Sequence, residues 1–265
     1  MKTYLVTGGS GFIGSNFVRQ MLQNDTNCHI VNLDKLTYAG NPANLVDIEM
    51  DERYSFVHGD ICDTDVVRQI FHQHKPQIII NFAAETHVDR SIGSPDDFIK
   101  TDVFGVFTLL EASKEFGVDL FLQISTDEVY GSIAEGSFCE GDPLLPSSPY
   151  SASKAGGDRL AYSYYVTYNL PVIITRASNN YGPFQYPEKL ISLFVTNALE
   201  DRDLPVYGDG KNVRDWLYVS DHCSAVQFII ENGKLGEVYN VGGGNELQNI
   251  HITHQILEQL GKSAD

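Results

Sequence analysis

The chain has 265 residues, enough for one large domain or two unequal lobes around a buried core. Apolar residues make up 42% and charged residues 20%, which excludes a disordered or fibrous chain. Eighteen Lys and Arg against 35 Asp and Glu give a formal net charge of −17, so the surface repels phosphate backbones and anionic membranes, and neither nucleic acid nor membrane is expected as a partner.

Short β-branched runs alternate with helical stretches along most of the chain. Tyr4–Val6 reads as a strand leading into glycines and a periodic helix through Leu22. Strands follow at His29–Leu33 and Tyr54–Val57, then a helix over Asp65–His74 that stops before Pro76. Ile78–Ile80 is too apolar on consecutive positions to have a solvent face. Ser94-Pro95-Asp96-Asp97 predicts a helix start with a capping hydroxyl, and that helix should reach about Phe116. Leu120–Ile124 is the next strand, Ser148-Pro149 opens a helix to about Tyr168, and Pro171–Thr175 is a further strand. This alternation predicts an α/β fold, a Rossmann-type doubly wound parallel sheet. Beyond about Tyr181, prolines and glycines break the pattern, as in a smaller C-terminal lobe. The expected division is a Rossmann-type domain over 1–180 and a smaller lobe over 181–265.

Cys28, Cys62, Cys139 and Cys223 are scattered and form no CxxC, which predicts free thiols in a reducing compartment. No metal-ligand spacing such as HExxH occurs, and no metal is expected. The apolar run before the first glycine is too short for a signal peptide, and no run approaches a membrane span. A cytoplasmic protein is expected.

Gly8, Gly11 and Gly14 join the first strand to the first helix. They suit a tight turn, close approach to a pyrophosphate and close helix–strand packing, at a helix N-terminus that favours anions. Asp34 follows Gly14 by 20 residues at the end of the second strand. A carboxylate there accepts hydrogen bonds from the adenosine ribose and repels a 2′-phosphate, favouring NAD over NADP. Asp60, after the third strand, is either an acceptor for the adenine amino group or a helix-capping acid.

Tyr150 and Lys154 lie four apart just inside a helix, on one face. A lysine ammonium beside a phenol stabilises the phenolate and makes tyrosine a base near neutral pH. Together with the glycine loop, Tyr150-Ser151-Ala152-Ser153-Lys154 resembles the extended short-chain dehydrogenase/reductase superfamily. More narrowly, Ser125-Thr126-Asp127-Glu128-Val129-Tyr130-Gly131, Ala83–Ser91, Ser178–Pro183 and Val213–Trp216 resemble the dTDP-glucose 4,6-dehydratases. Eliminating water across C5 and C6 of a hexose needs one base and one acid, and neighbouring carboxyls in a dry pocket drive their pKa values apart.

The resemblance implies a catalytic set of Thr126, Asp127, Glu128, Tyr150 and Lys154, with Glu128 as base and Asp127 as acid. For NAD it implies Phe12, Ile13, Asp34, Lys35, Asp60 and Ile61 beside the glycines, then Ala83, Ala84, Thr101 and Asn180 with Tyr150 and Lys154. For the nucleotide sugar it implies Thr86, Thr126, Asn179, Lys189 and Leu190, then Pro205, Val206, Tyr207, Arg214 and Asn249. Lys189 and Arg214 supply the cations that a diphosphate needs on so acidic a protein.

The implied activity is NAD-dependent conversion of dTDP-glucose to its 4-keto-6-deoxy product, for deoxysugar synthesis such as that of rhamnose. A UDP-glucose 4,6-dehydratase, a nucleotide-sugar 4-epimerase and a non-catalytic NAD-binding regulator are the alternatives. Enzymes of this kind continue beyond the point where this chain ends, so a further C-terminal portion is expected. The resemblance also implies a homodimer that pairs the helices at about 95–116 and 150–168 in a four-helix interface, with Ala152, Ala155, Gly156 and Gly157 among its small residues.

Overall fold

The computed structural model describes residues 1–133 and 135–263; Ala134 and the last two residues of the expected C-terminal lobe, Ala264 and Asp265, lie outside the described residues. The first half alternates as expected: β1 (Lys2–Thr7), α1 (Phe12–Asn24), β2 (Cys28–Asp34), β3 (Tyr54–His58), α2 (Thr64–His74) and β4 (Ile78–Asn81). Next come α3 (Val88–Gly93), α4 (Pro95–Ile99), α5 (Val106–Phe116), β5 (Leu120–Thr126), α6 (Pro149–Tyr168) and β6 (Val172–Ala177).

The remainder comprises β7 (Asn179–Tyr181), α7 (Leu190–Leu199), β8 (Val213–Tyr218), α8 (Val219–Asn232), β9 (Val238–Val241), β10 (Glu246–Gln248) and α9 (Asn249–Gln259). Seven strands form one sheet in the order β3-β2-β1-β4-β5-β6-β9, every pair parallel. Because β1 lies between β2 and β4, the chain leaves in opposite directions at that point and opens a crevice at the carboxyl ends.

Alternate residues of the buried strands feed two cores. Tyr4, Val6, Ile78 and Ile80 pack with α1 and α8 on one face, while Leu5 and Ile79 pack with α2, α5 and α6 on the other. That period of two explains why Ile78–Ile80 carries no polar position.

Two helix starts behave differently. Ser148 caps α6 through a reciprocal bond pair with Ser151, both at 3.0 Å, followed by Pro149. Pro95, Asp96 and Asp97 open α4 as expected, but the Ser94 hydroxyl makes no capping bond. The helix reaches Phe116, with one wide π-helical turn, Lys100–Gly105, inserted between α4 and α5.

A boundary at residue 180 does not separate two bodies. β9 joins the large sheet, and Val219, Cys223, Val226 and Ile229 of α8 sit in its core. The smaller sheet, β10-β8-β7, draws its strands from both sides of that return segment. Local breakers signalled the irregular stretch but not the return, which depends on tertiary packing. All four cysteines are free, and among the described residues no helix is long and apolar enough to cross a membrane.

Candidate active site

A cavity of about 580 Å³ lies between the carboxyl ends of the large sheet and the smaller body. Its floor is the glycine loop. Gly8 has φ +68°, and a Cβ there would sit 2.7 Å from the Ala83 amide nitrogen. A Cβ on Gly14 would lie 2.3 Å from the Gly8 carbonyl oxygen, so α1 closes onto the loop only because residue 14 is glycine. No side chain caps α1, which leaves its N-terminus free to face an anion. Phe12, Ile13, Ile61, Ala83, Ala84 and Thr101 complete this wall.

Asp34 closes its far end. Its carboxylate accepts from Ser10 N at 2.9 Å and Leu36 N at 2.8 Å. Burial raises its pKa, and those two N–H groups with nearby His58 oppose the rise. Lys35 and Asp60 also reach the cavity but bond each other at 2.7 Å, and Asp60 accepts from Cys62 N at 2.9 Å. The cap of α2 is Asp63, so Asp60 is not that helix's capping acid.

The catalytic candidates meet where β5 ends. Thr126 accepts from Glu128 N at 3.3 Å and starts a 3₁₀ turn over Asp127–Tyr130. Fully buried Tyr130 anchors that turn, bonding Asn240 at 2.8 Å and Arg176 at 2.7 Å. Thr126, Glu128, Tyr150 and Lys154 all line the cavity. Asp127 does not, and it differs in this from every other expected site residue. Successive side chains of a 3₁₀ turn diverge by about 120°. Asp127 instead accepts from the Thr126 hydroxyl at 3.2 Å.

Both carboxyls are pushed up by burial. Burial, then the neighbouring Glu128, pushes Asp127 up to about 6. Burial also raises Glu128, but Arg214 and Lys189 oppose it. Tyr150 departs from expectation, because burial and the carboxylates of Glu128, Asp102 and Asp127 push its pKa above the ordinary value. Thr126 works the other way, and Lys154 spends a hydrogen bond on the Ile124 carbonyl at 2.9 Å.

The opposite wall holds Thr86, Asn179, Lys189, Leu190, Arg214 and Asn249, with Pro205, Val206 and Tyr207 at its rim. Lys189 bonds the Thr86 carbonyl, Tyr38 donates to Glu188 at 3.1 Å, and Tyr207 donates to Asp89 at 3.3 Å. These three contacts tie the segment beyond Tyr181 to loops of the large-sheet body.

Several wall residues carried no signal in the sequence. His222 is fully buried, bonded through Nδ1 to Asn180 at 2.9 Å and pulled down by burial to about 4, so it is neutral. Asp102, outside the cavity lining, is buried in the π-helical turn and accepts from the hydroxyl of Ser153, the neighbour of Lys154. Ser125, Ser178, His222 and Trp216 line this cavity, and the Ser125 and Ser178 hydroxyls, the His222 Nε2 and the Trp216 Nε1 are buried with no partner among the described residues. Buried polar atoms without partners mark a place for a polar ligand. With the glycine cradle and the Asp34 acceptor, they fit a dinucleotide.

A parallel sheet with this glycine loop, and a Tyr-Lys pair beside it, defines an enzyme of the extended short-chain dehydrogenase/reductase type. Residues 5–265 match the family described as GDP-mannose 4,6 dehydratase, and the chain belongs to that family. It is 51% identical to a dTDP-glucose 4,6-dehydratase of Streptomyces niveus, over 98% of this chain and 78% of that protein. The dTDP-glucose 4,6-dehydratase of Bacillus anthracis, solved in complex with NAD, superposes with a TM-score of 0.93 at 52% identity, covering 100% of this chain and 83% of that one. DesIV, the Streptomyces venezuelae dTDP-glucose 4,6-dehydratase solved with NAD bound, gives 0.96 at 50% identity, covering 98% and 82%.

Proposed function

We propose that this chain dehydrates dTDP-glucose to dTDP-4-keto-6-deoxyglucose with NAD as a regenerated cofactor, in deoxysugar synthesis of the rhamnose type. The observation that carries the reading is Glu128 on one wall with Tyr150 and Lys154, above a glycine loop closed by Asp34.

NAD, held by the glycine loop and Asp34, would supply a hydride acceptor at C4 and a hydride donor at C6, and in its oxidised form a positive ring charge. Tyr150 accepts the 4-hydroxyl proton, with Lys154 countering the phenolate and Thr126 hydrogen-bonding the sugar. The ketone formed at C4 acidifies C5–H, and Glu128 removes that proton. Asp127, its pKa pushed up to about 6, donates to the departing C6 hydroxyl, which leaves as water. Glu128 then returns a proton to C5.

Assembly is the second part of this proposal. Exposed Ile99, Phe104, Phe107, Tyr162 and Val166 on α4–α6 form an apolar face suited to a two-fold copy of the same helices. Gly157 is not part of that face, since a Cβ there would meet the Asp102 carbonyl of its own chain at 2.3 Å.

Incubating the chain with dTDP-glucose and UDP-glucose and following the products by NMR tests the activity. A 4-keto-6-deoxysugar from the thymidine substrate is expected. A 4-epimer, or NAD bound with no turnover, would overturn the reading. Light scattering at micromolar concentration should report a dimer.

A further inference from the structure

We propose that Asp102 is a positioning residue for the first step, its carboxylate holding the Lys154 ammonium in the charged form. The inference rests on the roles of Tyr150 and Lys154 given above.

Asp102 sits in the π-helical turn and is 2% exposed. One carboxylate oxygen accepts from Glu85 N at 3.0 Å, and the other accepts from the Ser153 hydroxyl at 2.7 Å. Ser153 immediately precedes Lys154 on α6. The missing side chain of Gly157 lets α6 close onto this turn, against the Asp102 carbonyl. The wide turn thus ties a carboxylate to the residue that precedes the catalytic lysine, beyond ion-pair distance of its ammonium, and π-helical insertions recur at functional sites.

Both partners of Asp102 are neutral donors, so neither cancels its charge. Asp158, the other carboxylate acting on Lys154, contrasts with it. Asp158 is paired with Arg176 at 2.8 Å and with Arg159 at 2.7 Å. Its charge is therefore largely answered by guanidinium groups, while that of Asp102 is left to Lys154.

Lys154 needs such a counter-charge. It is 6% exposed and donates to the Ile124 carbonyl, and its burial pulls its pKa down, with Asp102 first and Asp158 second opposing. Reciprocally, burial pushes Asp102 up to about 6, and Lys154 is the strongest influence drawing it back. The other ionisable groups around Asp102 are Tyr150 on α6, Glu85 after β4 and Cys62 after β3. Lys100 on the same turn is taken up by Asp96 and Asp97 of α4 at the surface.

The sign follows. Neutralising Asp102 removes the attraction that keeps Lys154 protonated, so the ammonium is lost at lower pH. Tyr150 then loses its cation at pH values where wild type still holds it.

Carbon-13 NMR on the chain without cofactor, with labelled lysine and aspartate, reads both groups. Asp102→Asn should lower the Lys154 midpoint by on the order of one pH unit or more. The alkaline limb of NADH formation with dTDP-glucose should move down equally. A merely structural role would depress the rate alike at all pH values and leave the Lys154 midpoint in place, which would overturn the proposal.

The wild type offers a check that needs no variant. The Lys154 side-chain signal should show a second inflection at the Asp102 midpoint, as coupled sites do. A single inflection would also overturn it. A wild type that failed to dehydrate dTDP-glucose while showing both inflections would discard the functional reading and leave the charge coupling standing.

Discussion

The two walls of the cleft are built from different materials. The cofactor wall is backbone and short buried side chains at the ends of long parallel strands, with Asp34 8% exposed and held by two N–H donors. The sugar wall hangs on a three-strand sheet whose two outer strands are three residues long, and on long side chains, with Tyr207 72% exposed at its rim. One wall is shaped before any ligand arrives, and the other is assembled from single polar contacts between the bodies. Preorganised donors suit a cofactor that stays through the cycle, whereas the looser wall suits a substrate that must enter and leave.

The largest effects should come where the walls meet. Tyr150→Phe removes the first proton acceptor and should lower the rate of NADH formation about 10²–10⁴-fold. NAD binding should persist, since the glycine loop is untouched. Stopped-flow absorbance at the NADH band separates the two.

Glu128→Gln should be next. Oxidation should survive and elimination stall, seen as accumulated NADH and little exchange of C5 hydrogen with deuterated water. Asp127→Asn should also stall elimination, with a different pH signature. An acid pushed up to about 6 is protonated below that value, so the elimination step should weaken as pH rises through it. Asp127→Asn should flatten that limb, and a wild-type elimination rate that rose with pH there would remove Asp127 from the acid role.

The cofactor wall can be broken without touching chemistry. Gly14→Ala puts a Cβ 2.3 Å from the Gly8 carbonyl oxygen. Such overpacking costs about 1–3 kcal/mol, and if all of it falls on the NAD-bound geometry it is roughly 5- to 150-fold in NAD affinity by calorimetry. Asp34→Ser should narrow the preference for NAD over NADP by on the order of tenfold, through loss of charged hydrogen bonds to the ribose.

The same contrast explains how much was legible in the sequence. Gly8, Gly14, Asp34 and Ser148 act through local backbone geometry, and local spacing reveals that. Tyr150 and Lys154 share a face at helical spacing, so they too were readable. The aim of Asp127 was not readable, because residue type says nothing about which way a 3₁₀ turn points its side chains. Asp102 stood in an apolar helical run, and only the inserted π-helical turn ties it to Ser153, the neighbour of Lys154. His222 gave no cue as a lone histidine in α8. The return of α8 and β9 to the large sheet, like the partnering of His222, is settled by distant packing.

The mildest prediction concerns the rim of the loose wall. Tyr207→Ala removes a hydroxyl that donates to Asp89 at 3.3 Å and a ring that lies mostly in solvent. An exposed hydrogen bond of that kind contributes little to the fold, so unfolding free energy should change by less than about 0.5 kcal/mol. NAD affinity should not change, because nothing on the glycine loop depends on residue 207. The KM for dTDP-glucose should rise by about two- to tenfold with kcat held, the mark of lost binding that is uniform between ground and transition states. If kcat fell instead while KM stayed, Tyr207 would be closing the bodies for chemistry. The loose wall would then be a moving part rather than a passive rim.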